Sequence, residues 1–290
     1  MFELRPDRVV TLYCFQPLLH LIGRSAARIP ILMYHGVSEA KDPASHAYYR
    51  TTTSPAAFRV QMQFLHENGY TTCKPGSVAD QVQADTMDAR QVSITFDDGY
   101  QDFLEHAQPV LELFGFTATV YLPTAFIGNQ RRAFKGRPCL TWPEVRQLQQ
   151  RGVSLGSHTI THPQLRGLSA ETIRAELVDS KKAIEDRTGE PVTSFAYPYA
   201  FPETDRRFKA ALRELLVEAG YTSGVCTTVA CATAASDPLF LPRLPVNDDD
   251  DQALLNAKLD GAYDWLGTLQ SVIKSTKSIG LFSKRQESSS

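Results

Sequence analysis

Two adjacent carboxylates, Asp97 and Asp98, end a short apolar run, Val92 to Phe96, and are followed by a glycine. Like charges side by side at the edge of a core repel each other, and a cation is the simplest way to offset that cost. Farther along, "SHTITHP" spaces His158 and His162 four residues apart. On a helix or tight turn that spacing brings two imidazoles within reach of one ion. Two histidines and one carboxylate are a common ligand set for a divalent metal, with positions left open for water and substrate. One aspartate would then bind the ion, and the other would stay free as a general base for a water molecule. A single HxxxH pair is weak evidence. Its coincidence with the paired aspartates, both at strand ends, gives the reading its weight.

The elements that must position these groups alternate along the chain. "IPILMYHGV", "QVSITFDDG", "TATVYLP", "VSLGSHT", "TSFAYPY", "TSGVCTT" and "LFLPRLPV" are short, β-rich apolar runs. Between them lie amphipathic stretches with helix start and stop signals, such as the Ser54 and Pro55 start, Thr141 before "WPEVRQLQQ", and Ser169 before "AETIRAELVDSKKAIEDRTG". Strands alternating with helices mean βα units and a parallel sheet, either a barrel or a doubly wound sheet. In such folds functional groups collect where strands end, and Asp97, Asp98, His158, His162 and His35 all fall at such points.

Composition sets bounds. The chain has 290 residues with 30 Lys plus Arg against 32 Asp plus Glu, a net charge of −2, so the basic stripe of a nucleic-acid binder is absent. Five scattered cysteines (Cys14, Cys73, Cys139, Cys226, Cys231) form no CxxC pair and read as free thiols of a reducing compartment. The apolar stretch "VVTLYCFQPLLHLIG" is too short and interrupted to span a bilayer, and no small-residue cleavage site follows it. A cytoplasmic location is therefore expected, with a packed N-terminal helix or a peripheral contact with the inner membrane face. The run Asn247 to Asp251 reads as a solvated loop and helix start, and "SKRQESSS" as a disordered tail.

"TFDDG" (Thr95 to Gly99), "SHTITHP" (Ser157 to Pro163) and "FAYPYA" (Phe195 to Ala200) together resemble, in order and spacing, the polysaccharide deacetylase family of carbohydrate esterases. The resemblance covers about residues 29–246 and implies an α/β fold, an irregular (β/α) barrel of about seven parallel strands. It divides the chain into an N-terminal apolar helical extension (1–28), the catalytic domain (29–246) and a C-terminal helical extension with its tail (247–290). It implies removal of N-acetyl groups from amino sugars with a divalent metal, zinc first, with Co2+, Ni2+ or Fe2+ as substitutes. By position it makes Asp97 the base, Asp98, His158 and His162 the ligands, and the "YPY" segment, Pro198 and Tyr199, the part whose backbone N–H helps hold the oxyanion. Trp142 in "LTWPEV" resembles a tryptophan that walls the substrate groove; ordinary packing at a helix start explains it equally.

Two positions depart from the family pattern. Its third motif usually opens on an arginine that orients the base, and Phe195 stands there; Arg243 in "LPRLPV" is the residue expected to reach the site in its place. No histidine follows His162, so the late histidine that donates a proton in many members is missing. His35, at the end of the first strand, is the remaining candidate, because barrel closure makes first and last strands neighbours. "LMYHGV" also resembles the opening strand of the poly-N-acetylglucosamine deacetylase subgroup, in which a circularly permuted arrangement puts the acid there. The substrate expected is an N-acetylated glycan or a lipid- or nucleotide-linked amino sugar. The competing readings are hydrolysis of small non-sugar amides on the same fold and a non-catalytic carbohydrate-binding relic.

Overall fold

The computed structural model describes residues 5–22, 27–39, 50–88 and 90–270. Eight strands form one parallel sheet: β1 (Ile31–Tyr34), β2 (Thr71–Thr72), β3 (Gln91–Phe96), β4 (Thr119–Leu122), β5 (Ser154–Ser157), β6 (Ser194–Ala196), β7 (Ser223–Val225) and β8 (Leu244–Pro245). Their order is β7-β6-β5-β4-β3-β1-β8, with β2 also pairing β3. The last strand thus lies beside the first, Leu244 opposite Leu32. Just before it, Leu241 bridges to Val225 of β7, so the sheet curls almost into a closed barrel.

Local chemistry sets the helices between the strands. Ser54 accepts the Ala57 N–H at 3.2 Å ahead of helix Pro55–Glu67, and Ser169 does the same for Thr172 ahead of helix Ala170–Thr188. Thr141 and Glu144 form a capping box on helix Trp142–Gln150. The helices between the strands bury apolar stripes, such as Leu212, Leu215 and Leu216 of helix Arg206–Glu218. Each of these side chains is worth roughly 1.5–3 kcal/mol once buried. Helix Pro75–Ala84 instead closes the floor of the barrel, where Val78, Ala79 and Val82 meet Ile31, Tyr121, Ala196 and Val225. Gly156 is required beside Tyr121, because a Cβ there would stand 2.3 Å from the ring.

The N-terminal segment is helical from Pro6 to Ile22, with a π-turn at Thr11–Phe15. It packs on the C-terminal part: Trp265 stacks on Phe15 at 5.2 Å and donates its indole N–H to the Thr11 hydroxyl. No helix among the described residues is long and apolar enough to cross a membrane. Helix Gln252–Leu259 adds Leu254, Leu255 and Leu259 to the main core. Asp251 caps it as the acidic run led one to expect, accepting the Leu254 N–H. The solvated reading of that run is corrected at Asp250 and Asn247, which are buried. Asp250 is 2.7 Å from Lys258 Nζ and 3.3 Å from Arg5 Nη1, and this paired charge is what permits its burial. The tail "SKRQESSS" lies outside the described residues.

One carboxyl in this region makes stability depend on pH. Burial pushes Asp264 up to about 6, although the Cys231 N–H and the Arg28 guanidinium pull it the other way. Its folded value lies above the unfolded 3.8, so the folded state holds the proton more tightly and stability falls as pH rises from about 4 through 6. Asp264→Asn should therefore raise stability by about 1–2 kcal/mol at pH 7.5 and give no gain at pH 4, with partial exposure already discounted. Thermal melts of both proteins at the two pH values check this; an equal shift at both would contradict it.

Candidate active site

The site lies at the carboxyl ends of β1, β3, β5 and β6, where a parallel barrel exposes its loops. The Asp97 N–H donates to Tyr34 O at 3.0 Å, so the β1–β3 ladder runs one step past the strands. That step sets His35 level with Asp97. Asp98 then turns into the left-handed region, with φ 68°, and sends its carboxylate toward β5.

Asp98 Oδ1 faces both histidines, 3.4 Å from His162 Nε2 and 3.7 Å from His158 Nε2. One ligand atom from each of the three residues lies within 4.8 Å of the other two, and all three residues are buried. The His158 Nδ1 is 2.8 Å from Ala196 O, which fixes it as the protonated nitrogen and leaves Nε2 with its lone pair. Burial, then the neighbouring His158, holds His162 down to about 3, so its ring is neutral as a metal ligand must be. Asp98 Oδ1 is buried and has no hydrogen-bond partner. A buried carboxylate oxygen with no hydrogen-bond partner, facing two imidazole nitrogens, fits a divalent cation.

The loop carrying the histidines is strained and held from outside. Thr159 and His162 have φ of 68° and 55°. Glu176, on helix Ala170–Thr188, accepts the N–H groups of Ile160 and Thr161 at 2.7 and 3.0 Å and the Thr161 hydroxyl at 2.7 Å. The His162 N–H donates to the Thr159 hydroxyl. Strain of this kind persists only where its surroundings fix it. Glu176 escaped the sequence reading because nothing local distinguishes it from the other charges of its helix.

Arg243 is fully buried and grips Asp97 with both ends of its fork, Nη1 to Oδ1 and Nη2 to Oδ2, each at 2.7 Å. It also donates to the Thr95 hydroxyl and to Cys226 O. Phe195, at the motif's arginine position, is buried with its ring against Tyr221. The guanidinium therefore reaches the aspartate from the segment next to β8, across the barrel closure. Burial raises the Asp97 carboxyl, but Arg243 and His158 outweigh it and hold the group well below the usual carboxylate range. For His35, burial lowers the ring below 6.5, against the pull of Asp98 and Asp97.

Tyr199, with φ 59°, places its ring 4.5 Å from that of His162, and its N–H has no partner among the described residues. The Thr227 hydroxyl donates to Tyr199 O and accepts the Phe201 N–H, which pins the "YPY" turn. Pro198 is buried beside it. Trp142 is buried in the main core at the start of its helix, with the Arg187 guanidinium 5.7 Å above the ring. Two further residues touch Asp98 at its outer oxygen, Oδ2: the Tyr100 hydroxyl at 3.1 Å and Lys135 Nζ at 3.8 Å.

A near-closed parallel barrel with an Asp-His-His cluster, and beside it an aspartate clamped by arginine, fits a metal-dependent hydrolase. The chain belongs to the polysaccharide deacetylase family, which acts on N-acetyl amide bonds. The family's sequence profile matches residues 84–223. YxkH of Bacillus subtilis (strain 168), named as a polysaccharide deacetylase, is 30% identical over 222 residues, which cover 76% of this chain and 72% of YxkH. A poly-beta-1,6-N-acetyl-D-glucosamine N-deacetylase of Staphylococcus aureus (strain N315) is 23% identical over 184 residues, 60% of each chain. The structure of Streptococcus pyogenes deacetylase PplD in complex with acetate superposes with a TM-score of 0.69 at 25% identity, covering 81% of this chain and 99% of that one.

Proposed function

We propose that this protein removes the N-acetyl group from N-acetylglucosamine units of a glycan, with zinc held by Asp98, His158 and His162. The observation that carries the reading is the convergence of Asp98 Oδ1 with the Nε2 atoms of two buried imidazoles beside the Asp97–Arg243 pair. The bound ion would acidify a water and polarise the acetamide carbonyl. Asp97 stays ionised and fixed by Arg243, ready to take a proton from the attacking water. The free N–H of Tyr199 is the donor for the oxyanion, presented by a turn that Thr227 holds in place. His35, level with Asp97, returns a proton to the departing amine. The relative from S. aureus that acts on poly-N-acetylglucosamine supports this sugar as the substrate.

The decisive test is elemental analysis of the purified protein together with acetate release from N-acetylated glycans: poly-N-acetylglucosamine, chitin oligomers and peptidoglycan fragments. One equivalent of zinc and turnover on a glucosamine-based polymer are expected. A protein that binds no divalent ion and releases no acetate from any of them would sink the proposal.

A further inference from the structure

Six non-glycine residues among those described have a positive φ. Asp85 ends a helix. The other five gather at the site: Asp98, Thr159, His162 and Tyr199, for which roles are given above, and Lys135, which has none so far. Lys135 and Gly136, with φ of 50° and 77°, form the tip of a two-residue hairpin between Ala133–Phe134 and Arg137–Pro138. A lysine in that conformation carries a cost that asparagine or glycine would avoid, so its presence asks for a function.

The hairpin is firmly seated. Arg137 lies 4.0 Å above the Tyr100 ring, pairs with Asp102 at 2.6 Å and bonds the Thr52 hydroxyl. The Gln101 N–H donates to Pro138 O and the Leu140 N–H to Gly99 O, tying the hairpin base to the loop of the two aspartates. Its tip hangs over the metal ligands. Phe134 and Tyr199 flank the His162 ring at 5.0 and 4.5 Å. The Lys135 ammonium sits above both aromatic faces, 4.6 Å from Phe134 and 5.3 Å from Tyr199, with nearly half of its side chain exposed to solvent.

Charge decides what this ammonium is for. Asp97 is already neutralised by Arg243. A divalent cation at Asp98 would more than cancel that carboxylate and remove its attraction for Lys135, leaving an uncompensated positive group at the mouth of the site. Resting on the deacetylase reading above, we propose that Lys135 determines specificity for an anionic substrate. It would pair with a carboxylate or phosphate carried by the acetamido sugar or by the unit next to it. The exposed ring of Tyr199 supplies the apolar wall against which the sugar ring lies, and the ammonium, resting on the buried Phe134, reads the charge.

The test compares a neutral N-acetylglucosamine tetramer, a tetramer alternating N-acetylglucosamine with glucuronic acid, and a phosphate-bearing N-acetylglucosamine oligomer. KM and kcat are measured for the parent, Lys135→Gln and Lys135→Arg. Dissociation constants are measured by calorimetry in the His35→Gln background, where the Asp97–Arg243 pair stays intact, so the binding arm decides even without turnover. The parent should bind an anionic oligomer about tenfold more tightly than the neutral one, the size of one charge-assisted hydrogen bond, and added salt should erode the difference. The preferred anion identifies the group read. Lys135→Gln should lose that preference, read as the ratio of the dissociation constants for the anionic and neutral oligomers, and Lys135→Arg should keep it. Equal affinity of the parent for charged and neutral oligomers overturns the assignment, as does an equal effect of Lys135→Gln on both. Absence of acetate from every substrate would instead strike the deacetylase reading.

Discussion

Asp98→Asn protein should emerge from purification without bound divalent ion, whereas Asp97→Asn protein should carry a full equivalent and turn over almost nothing. The two residues are neighbours in sequence and both buried, but they face different partners. Asp98 Oδ1 meets the two Nε2 atoms, and it would be the one carboxylate among the three candidate ligands found in the described residues. Partners that merely orient a ligand are worth 10–100-fold in metal affinity, so loss of a ligand itself should cost at least about 100-fold. Asp97 has both oxygens occupied by Arg243 and contributes no atom to the cluster. Its amide replacement keeps the shape but removes the proposed base, a loss on the order of 10²–10⁴ in rate. It also leaves a buried guanidinium without its anion, so the melting temperature should drop as well. Metal content is the quantity that separates the two roles. If Asp97→Asn loses the ion and Asp98→Asn keeps it, the assignment is reversed.

Much of this arrangement is visible in the chain before it folds, because its strongest signals are local. The apolar run before Asp97, the four-residue spacing of the histidines and the cap residues Ser54, Thr141 and Ser169 each act within a few positions, and each element forms where that chemistry places it. The contacts that escape a linear reading join distant segments. Arg243 is expected at the site only through the missing motif arginine, not from its own surroundings; it meets Asp97 across 146 positions because β8 pairs with β1. Lys135 and Tyr100 reach Asp98 through a hairpin tip and a turn whose side-chain directions no periodicity encodes. Asp250 reads as solvated because one of its two cations, Arg5, is 245 residues away. Burial of charge is a property of partners, and partners are set by topology.

His35→Gln should cut turnover on an acetamido sugar by about 10²–10⁴ while metal content and melting temperature stay near those of the parent. The reason lies in the leaving group. Collapse of the tetrahedral adduct expels an amine, which departs poorly unless it is protonated. Asp97, held far down its titration by Arg243, is a weak reservoir for that proton once the water has given it up. His35 stands level with Asp97 on the adjoining strand, and no histidine follows His162 to take its place. Burial lowers the His35 ring, so it begins neutral at pH 7 and can take up the water's proton, which Asp97 holds only weakly, before passing it to the departing amine. A substrate whose leaving group needs no proton separates this role from a structural one. On an activated aryl acetate, which expels a stable phenolate, His35→Gln should lose less than about tenfold, because the acid contribution disappears with the need for it. Equal losses on sugar and ester would mean that His35 supports the ion or the attack. A near-parental rate on the sugar would mean that it only packs under the barrel rim, and that the proton comes from Asp97 or from solvent.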